Sequence, residues 1–384
     1  MARRTRVLGS TLLFFAIAAY VVFAPRPLSP EPELRAQWSA AVGETAVQTV
    51  GTGPGTGSGN ADSAQETDTG GASSALIGFR LGSVFGYVDT EGQLISAESV
   101  YHDVTFNSEY YVNFSAVSQN AVVRDPGGNV AASIPAKGYP YMRGDRLFLL
   151  GPDGTAISEW TLNGKRLWQT RMPAVFTDID ANARYLAAAG IDGGVRLVDA
   201  NGEVEYTYRD TTSRLPVTLG VAVSDNADEA AAVVGVDPQR LVFFGRDEQG
   251  FFPSGEIRLG SAFRRPVFVD FVFEDEFLAY ESAQGLRLVH TDTGVERSFA
   301  FSGQLHGFGT SAKQGFAAML SGVSGENGSA ATGNRANTFQ MMLRSGEIIA
   351  RAGFAAEDTT LVVRDDLVVL GVDTRLLGLE VSGL

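Results

Sequence analysis

Cysteine is missing from the 384-residue chain altogether. That excludes a disulfide framework, a thiolate metal site, a cysteine nucleophile and a lipidated N-terminal cysteine. Histidine is scarce: His102, His290 and His306 stand far apart with no HxxxH spacing, which argues against a zinc site and reads as loop or strand residues. Lysine is equally scarce, at three residues, and the formal net charge is −14, with −13 of it on residues 75–384. A domain so acidic repels nucleic acid. No GxSxG elbow, HExxH or P-loop occurs, so no catalytic or metal residues are assigned and no cofactor is expected. Amphipathic helical periodicity, which a TIM barrel or Rossmann domain would need, is also absent.

What is abundant is glycine (45), together with 24 Phe and many Val and Leu, a composition suited to short strands and tight turns. The first exception is the N-terminus. Residues 1–6, MARRTR, form a basic stub before Val7–Ala24, eighteen residues without a charge. As a helix this run spans about 27 Å, close to the roughly 30 Å hydrocarbon core. It reads as a transmembrane signal anchor, the alternative being a signal peptide cleaved after Ala16-Ile17-Ala18. The arginine cluster places the stub in the cytoplasm and everything after residue 25 in the periplasm or an equivalent space. Residues 25–74 read as a linker: a Pro-rich piece, a weakly helical segment around Leu34–Thr49, and a Gly/Ser/Thr-rich run from Gly51 to Ser74 with nothing to bury.

Residues 75–384 are built on a recurring strand-turn-strand unit closing on glycine. Copies end at Gly92, Gly128, Gly164, Gly202, Gly255, Gly294 and Gly346, at a mean spacing of about 42 residues. A second series of polar turns interleaves with the first, giving four strands per period. The expectation is an all-β chain: a single β-propeller of about seven four-stranded blades, with eight the alternative, in which residues 76–97 and 352–384 share one blade. The small residues of Leu186–Gly190 and Phe316–Leu320 fit crowded inner strands.

The hairpin EWTLNGKRLW, with Trp160 and Trp168 around Asn163-Gly164-Lys165, resembles the repeat of quinoprotein-type (PQQ-like) propellers, and RLVDANGEV and GYVDTEGQL resemble weaker copies. Trp168 has no visible counterpart in the other hairpins, and the Gly-His and Trp-Asp pairs of WD40 repeats are absent, so the family stays unassigned within WD40-like and PQQ-like propellers. Quinoprotein dehydrogenases of similar fold hold PQQ and calcium at a carboxylate-rich site, and no such cluster is assignable here.

Among candidate sites, Asp178-Ile179-Asp180-Ala181-Asn182 has the carboxylate spacing of a calcium loop, but Ala183 and Ala189 stand where an EF-hand needs Gly and Glu, so an inter-strand turn is the better reading. The connectors AKGYP, RMP, SRLP and FRRP place Pro140, Pro173, Pro216 and Pro266 at blade starts, where proline's missing amide is tolerated. Proline does not explain the cations beside it. Lys137, Arg171, Arg214, Arg264 and Arg265 are therefore candidate partner-binding residues, a positive ring at one channel mouth suited to an acidic segment; pairing with neighbouring carboxylates is the alternative. Phe251 and Phe252 in the loop Arg246–Gly255 are a second candidate surface, tucking between strands being the alternative, and Ser321–Asn337 reads as a disordered loop. The expected function is a non-catalytic, membrane-tethered interaction scaffold for an envelope or membrane protein. In general design this resembles propeller subunits of outer-membrane assembly machinery, which are lipoproteins. A small-molecule-binding sensor is the alternative, and a quinoprotein-type enzyme a third reading.

Overall fold

The computed structural model describes residues 32–42, 76–116, 118–323 and 335–384. The Val7–Ala24 span and the Gly51–Ser74 run lie outside them. Thirty-one strands form eight antiparallel sheets, and no helix occurs among the described residues. Blades 1 to 7 follow the chain at residues 77–99, 103–134, 139–171, 176–209, 215–259, 269–299 and 304–356; blade 8 joins residues 359–382 to Glu33–Ala41. The chain therefore folds as an eight-bladed propeller, and the count of seven is corrected. Blade 1 has three strands among the described residues and the others have four.

The miscount traces to Glu33–Ala41, placed by its sequence in the linker and a weak helix. It is the outermost strand of blade 8, pairing antiparallel with Arg375–Ser382 from Glu33↔Ser382 to Ala41↔Arg375. An outermost strand touches the sheet on little of its surface, and seven of these nine residues are exposed, so no alternating apolar pattern announces it. With this strand supplied from the N-terminal side, residues 359–382 need only three strands, and residues 77–99 open a blade of their own.

The core lies between blades. Eight buried apolar clusters occur, one at each seam of the ring, the last joining Ile77, Phe79 and Leu81 of blade 1 to Leu367, Val369 and Leu376 of blade 8. A blade's second strand is sandwiched on both faces. This is why Tyr185–Gly190 and Phe316–Gly322 read as continuous small and apolar runs, with every residue buried. Both are second strands, one place out from the channel.

The repeated turn has a clear mechanism. At Asp89, Asp125 and Asp199 one carboxylate oxygen accepts the backbone amide four residues on, and the glycine three residues on sits at φ +86°. Thr161 does the same work for Gly164 through its hydroxyl. Gly255 is different: it lies inside the strand Gly250–Leu259, and the turn of that hairpin is at Asp247–Gly250.

Turn glycines also dock blades. A Cβ on Gly202 of blade 4 would collide with the Trp168 ring of blade 3, and a Cβ on Gly92 of blade 1 with the Trp38 ring of blade 8. Trp38 thus is the counterpart of Trp168 that the hairpins alone do not show, and its Nε1 donates to the Thr90 carbonyl at 3.0 Å.

Candidate functional site

The connectors between blades cross one face of the ring, and the five predicted cations separate there into three settings. Arg265 is consumed within the fold: its two terminal nitrogens grip the buried Glu281 at 2.7 and 2.8 Å, and its guanidinium lies 4.7 Å from the centre of the Phe263 ring. The Glu281 hydrogen bonds raise its pKa further. Arg171 and Lys137 line a cavity of about 330 Å³ over blade 3. There Arg171 donates to Asp153 at 2.9 Å. The Thr155 amide and hydroxyl, with Arg171, hold Asp153 at about 2.

Arg214 and Arg264 line a second cavity, of about 620 Å³, over blade 5. Its third cation, Arg258, carries no sequence mark, because it sits on the outermost strand and not in a proline-marked connector. No hydrogen bond or ion pair engages Arg258 or Arg264 among the described residues, and Arg214 reaches only Asp237, at 3.7 Å. The predicted single ring is thus three separate settings, one of them closed by Glu281.

The blade 5 cavity is shaped from below. Gln239, 1% exposed, donates from Nε2 to the carbonyls of Gly235 and Phe263, and its Oε1 accepts from Ser261 Oγ at 2.8 Å and the Phe263 amide at 3.3 Å. All four groups of this amide's hydrogen-bonding capacity serve to pin the connector 261–263 to the turn 235–239. Beneath it, buried Arg240 donates to Asp210 at 2.6 Å and Glu256 at 2.5 Å. Asp210 accepts the amides of Thr212 and Ser213, and Ser213 Oγ donates to the Pro238 carbonyl at 2.8 Å. Burial pushes the Asp210 carboxyl up, but Ser213, the Thr212 amide and Arg240 together hold it below the ordinary range. The loop carrying Arg214 is therefore anchored on both sides.

The central channel holds a different arrangement, a cavity of about 310 Å³ lined by Tyr141, Arg143, Asp178, Asp180, Asp270 and the Arg265–Glu281 pair. Asp178 and Asp180 are not in a turn. They lie on the innermost strand Phe176–Ala181, and they accept the amides of Val221 and Val223 on the innermost strand of blade 5, at 3.0 and 2.9 Å. An innermost strand has no partner strand on its channel side, so its outward amides need side-chain acceptors. Arg143 joins Asp180 at 2.9 Å to Asp270 at 3.1 Å. Desolvation raises Asp178 to about 6 and Asp270 to about 7, the latter against the pull of Arg143, and desolvation raises Asp180 as well. These charges lace the ring together from inside.

The aromatic candidates divide. Phe251 is buried at the seam of blades 4 and 5, its ring 5.1 Å from Tyr185. Both residues begin the strand Gly250–Leu259 and neither is in a loop. Phe252 is 41% exposed, but it has equivalents: Ile95, Val130, Leu167, Val204, Val295 and Ile348 are exposed at the corresponding start of the outermost strand in the other blades. It follows a periodic pattern and does not form a separate tip. In the predicted loop 321–337, Ser321, Gly322 and Asn337 belong to paired strands, and residues 324–334 lie outside the described part.

Compared with known proteins, the chain is 22% identical over 306 residues to an uncharacterized protein of Treponema pallidum (strain Nichols), covering 80% of this chain and 78% of that one. Among solved structures it is similar to BamB from Moraxella catarrhalis, at 15% identity and a TM-score of 0.47, covering 78% of this chain and 91% of that one. It is also similar to the Cps50 (Swd1) β-propeller domain of Myceliophteria thermophila, at 14% identity and a TM-score of 0.48, covering 74% and 97%. The family described as beta-propeller protein matches residues 2–384, and the chain belongs to it.

Proposed function

We propose that this protein is a non-catalytic interaction scaffold, held to the inner membrane by Val7–Ala24 and presenting its propeller to an envelope protein on the far side. The observation that carries the reading is the contrast in how charge is used. Channel charges are engaged in holding blades together, whereas Arg264 on the connector face and Arg258 beside it have no side-chain partner among the described residues, on a chain of net charge −14. Unpaired surface cations in an acidic field attract a complementary acidic surface and speed its capture. The rigid ring supports this use, since a propeller offers a preformed face and avoids an ordering cost on binding. The two tryptophan–glycine contacts favour kinship with quinoprotein-type repeats in architecture.

The test is capture of the full chain from detergent-solubilised membranes after mild crosslinking. One envelope protein should accompany it in near-equal amount and dissociate as ionic strength rises. A chain recovered alone under every salt condition would overturn the reading.

A further inference from the structure

We infer that the cavity over blade 5 is a seat for a short acidic polypeptide segment that carries an apolar side chain beside its carboxylates. This deepens the scaffold reading and rests on it. Arg214, Arg258 and Arg264 converge on the cavity, and Asp237 is the one acidic residue in its lining, so the seat carries a net positive charge of two. Guanidinium is the group best matched to carboxylate, because its fork donates two parallel hydrogen bonds and it is weakly hydrated. Two of the three have no side-chain partner among the described residues, and the third is 80% exposed. Among the described residues the one ion pair that any of the three makes is Arg214 with Asp237, at 3.7 Å.

Size and floor narrow the ligand. At about 620 Å³ the cavity falls within the ~300–1,000 Å³ of ordinary binding pockets, far more room than a single small anion fills. Its lining includes Leu215, which is 50% exposed, with Val236 and Leu259 beside it. A lone inorganic anion would leave that apolar surface wet. A long polyanion would meet the acidic field of the rest of the chain. A short segment with two carboxylates around one aliphatic or aromatic residue satisfies both the cations and the floor.

The walls are already in place. Gln239 fixes the connector leading to Arg264, and the Arg240–Asp210–Ser213 chain of contacts fixes the loop leading to Arg214. A preorganised cavity loses little conformational freedom on binding.

The test uses the full chain in detergent and a fluorescent twelve-residue peptide alternating Asp and Glu with Leu, read by polarisation. Binding should weaken at least tenfold when Asn and Gln replace the acids, and at least tenfold in the variant Arg214→Glu/Arg258→Glu/Arg264→Glu, whose melting midpoint should match the parent because the one ion pair lost, Arg214 with Asp237, joins two exposed groups at 3.7 Å and contributes little. The double variant Lys165→Glu/Arg351→Glu, at exposed positions on blades 3 and 7, should stay within twofold of the parent. Equal binding of the uncharged peptide, unchanged binding by the triple variant, or full displacement by an equal concentration of inorganic phosphate would each overturn the proposal. If the triple variant still captures the envelope protein, the seat is wrong and the scaffold stands. If the parent binds the peptide but captures no envelope protein, the scaffold is wrong and the seat stands.

Discussion

Two seams of the same ring are built in opposite ways. Between blades 4 and 5, fourteen buried residues pack, mostly Ala and Val on strands that reach nine or ten residues in blade 5, and Asp178 and Asp180 tie the inner edge. Between blades 1 and 2 only Phe85, Tyr87, Val104 and Tyr111 are buried in the cluster, and the two central strands of blade 2 share a single paired position, Tyr111↔Arg124. There, large aromatics do the work of many small contacts, and their polar tips are tied off: Tyr111 donates to Glu98 at 2.7 Å and Tyr87 to the Tyr110 carbonyl at 2.9 Å. Stiffness is therefore unevenly distributed. The three-arginine cavity stands over the next seam, between blades 5 and 6, where Val236 and Leu259 of its lining belong to a cluster of thirteen buried residues.

Truncation at each seam probes the contrast. Phe244→Ala, which empties a site ringed by Tyr206 and Tyr208, should cost about 3–5 kcal/mol in denaturant unfolding; a loss under about 1 kcal/mol would mean that the seam is not the stiff one. Next comes charge. Because Asp178 and Asp270 are raised to about 6 and about 7 from an ordinary 3.8, the folded state favours their protonated forms. Their contribution to stability grows as pH falls from about 7 toward 4 and is constant above and below that window. Asp178→Asn keeps an oxygen for the Val221 amide without the charge. It should stabilise the protein by on the order of 1–2 kcal/mol at pH 8 and flatten the slope between pH 6 and 4; an unchanged melting profile against pH would contradict this. At the aromatic seam Tyr111→Phe removes one hydrogen bond to Glu98 and should cost about 1 kcal/mol, with hydrogen exchange in residues 103–134 accelerating before that in 215–259. The smallest effect belongs to the rim: Val204→Thr, at an exposed position, should stay within about 0.5 kcal/mol.

How far the sequence revealed this depends on where each signal resides. The Asp-x-x-Gly turns at residues 89–92, 125–128 and 199–202 are local chemistry, so they were readable and gave the architecture. The count of blades was not, because the strand that completes the ring comes from 334 to 349 residues away and buries almost nothing; Trp38 was its one legible mark. The long hairpin of blade 5 also misled, since its true turn at Gly250 stands five residues before the glycine that fits the repeat. At the connectors, proline marked Arg214 and Arg265 equally, yet one is 80% exposed with a single loose contact to Asp237 and the other serves Glu281. Arg258 bore no mark because convergence on a cavity is a property of the folded ring.

Closure of blade 8 by Glu33–Ala41 makes the propeller a clasp. That strand is joined to the remainder of the ring both by the chain and by its pairing with Arg375–Ser382. A pull applied upstream of residue 33 reaches this one pair before any other, so the clasp bears mechanical load for all eight blades. The same geometry makes the domain divisible: a cut between residues 42 and 76 should leave both pieces assembled, and a separately supplied peptide of residues 32–42 should snap into a ring that lacks it.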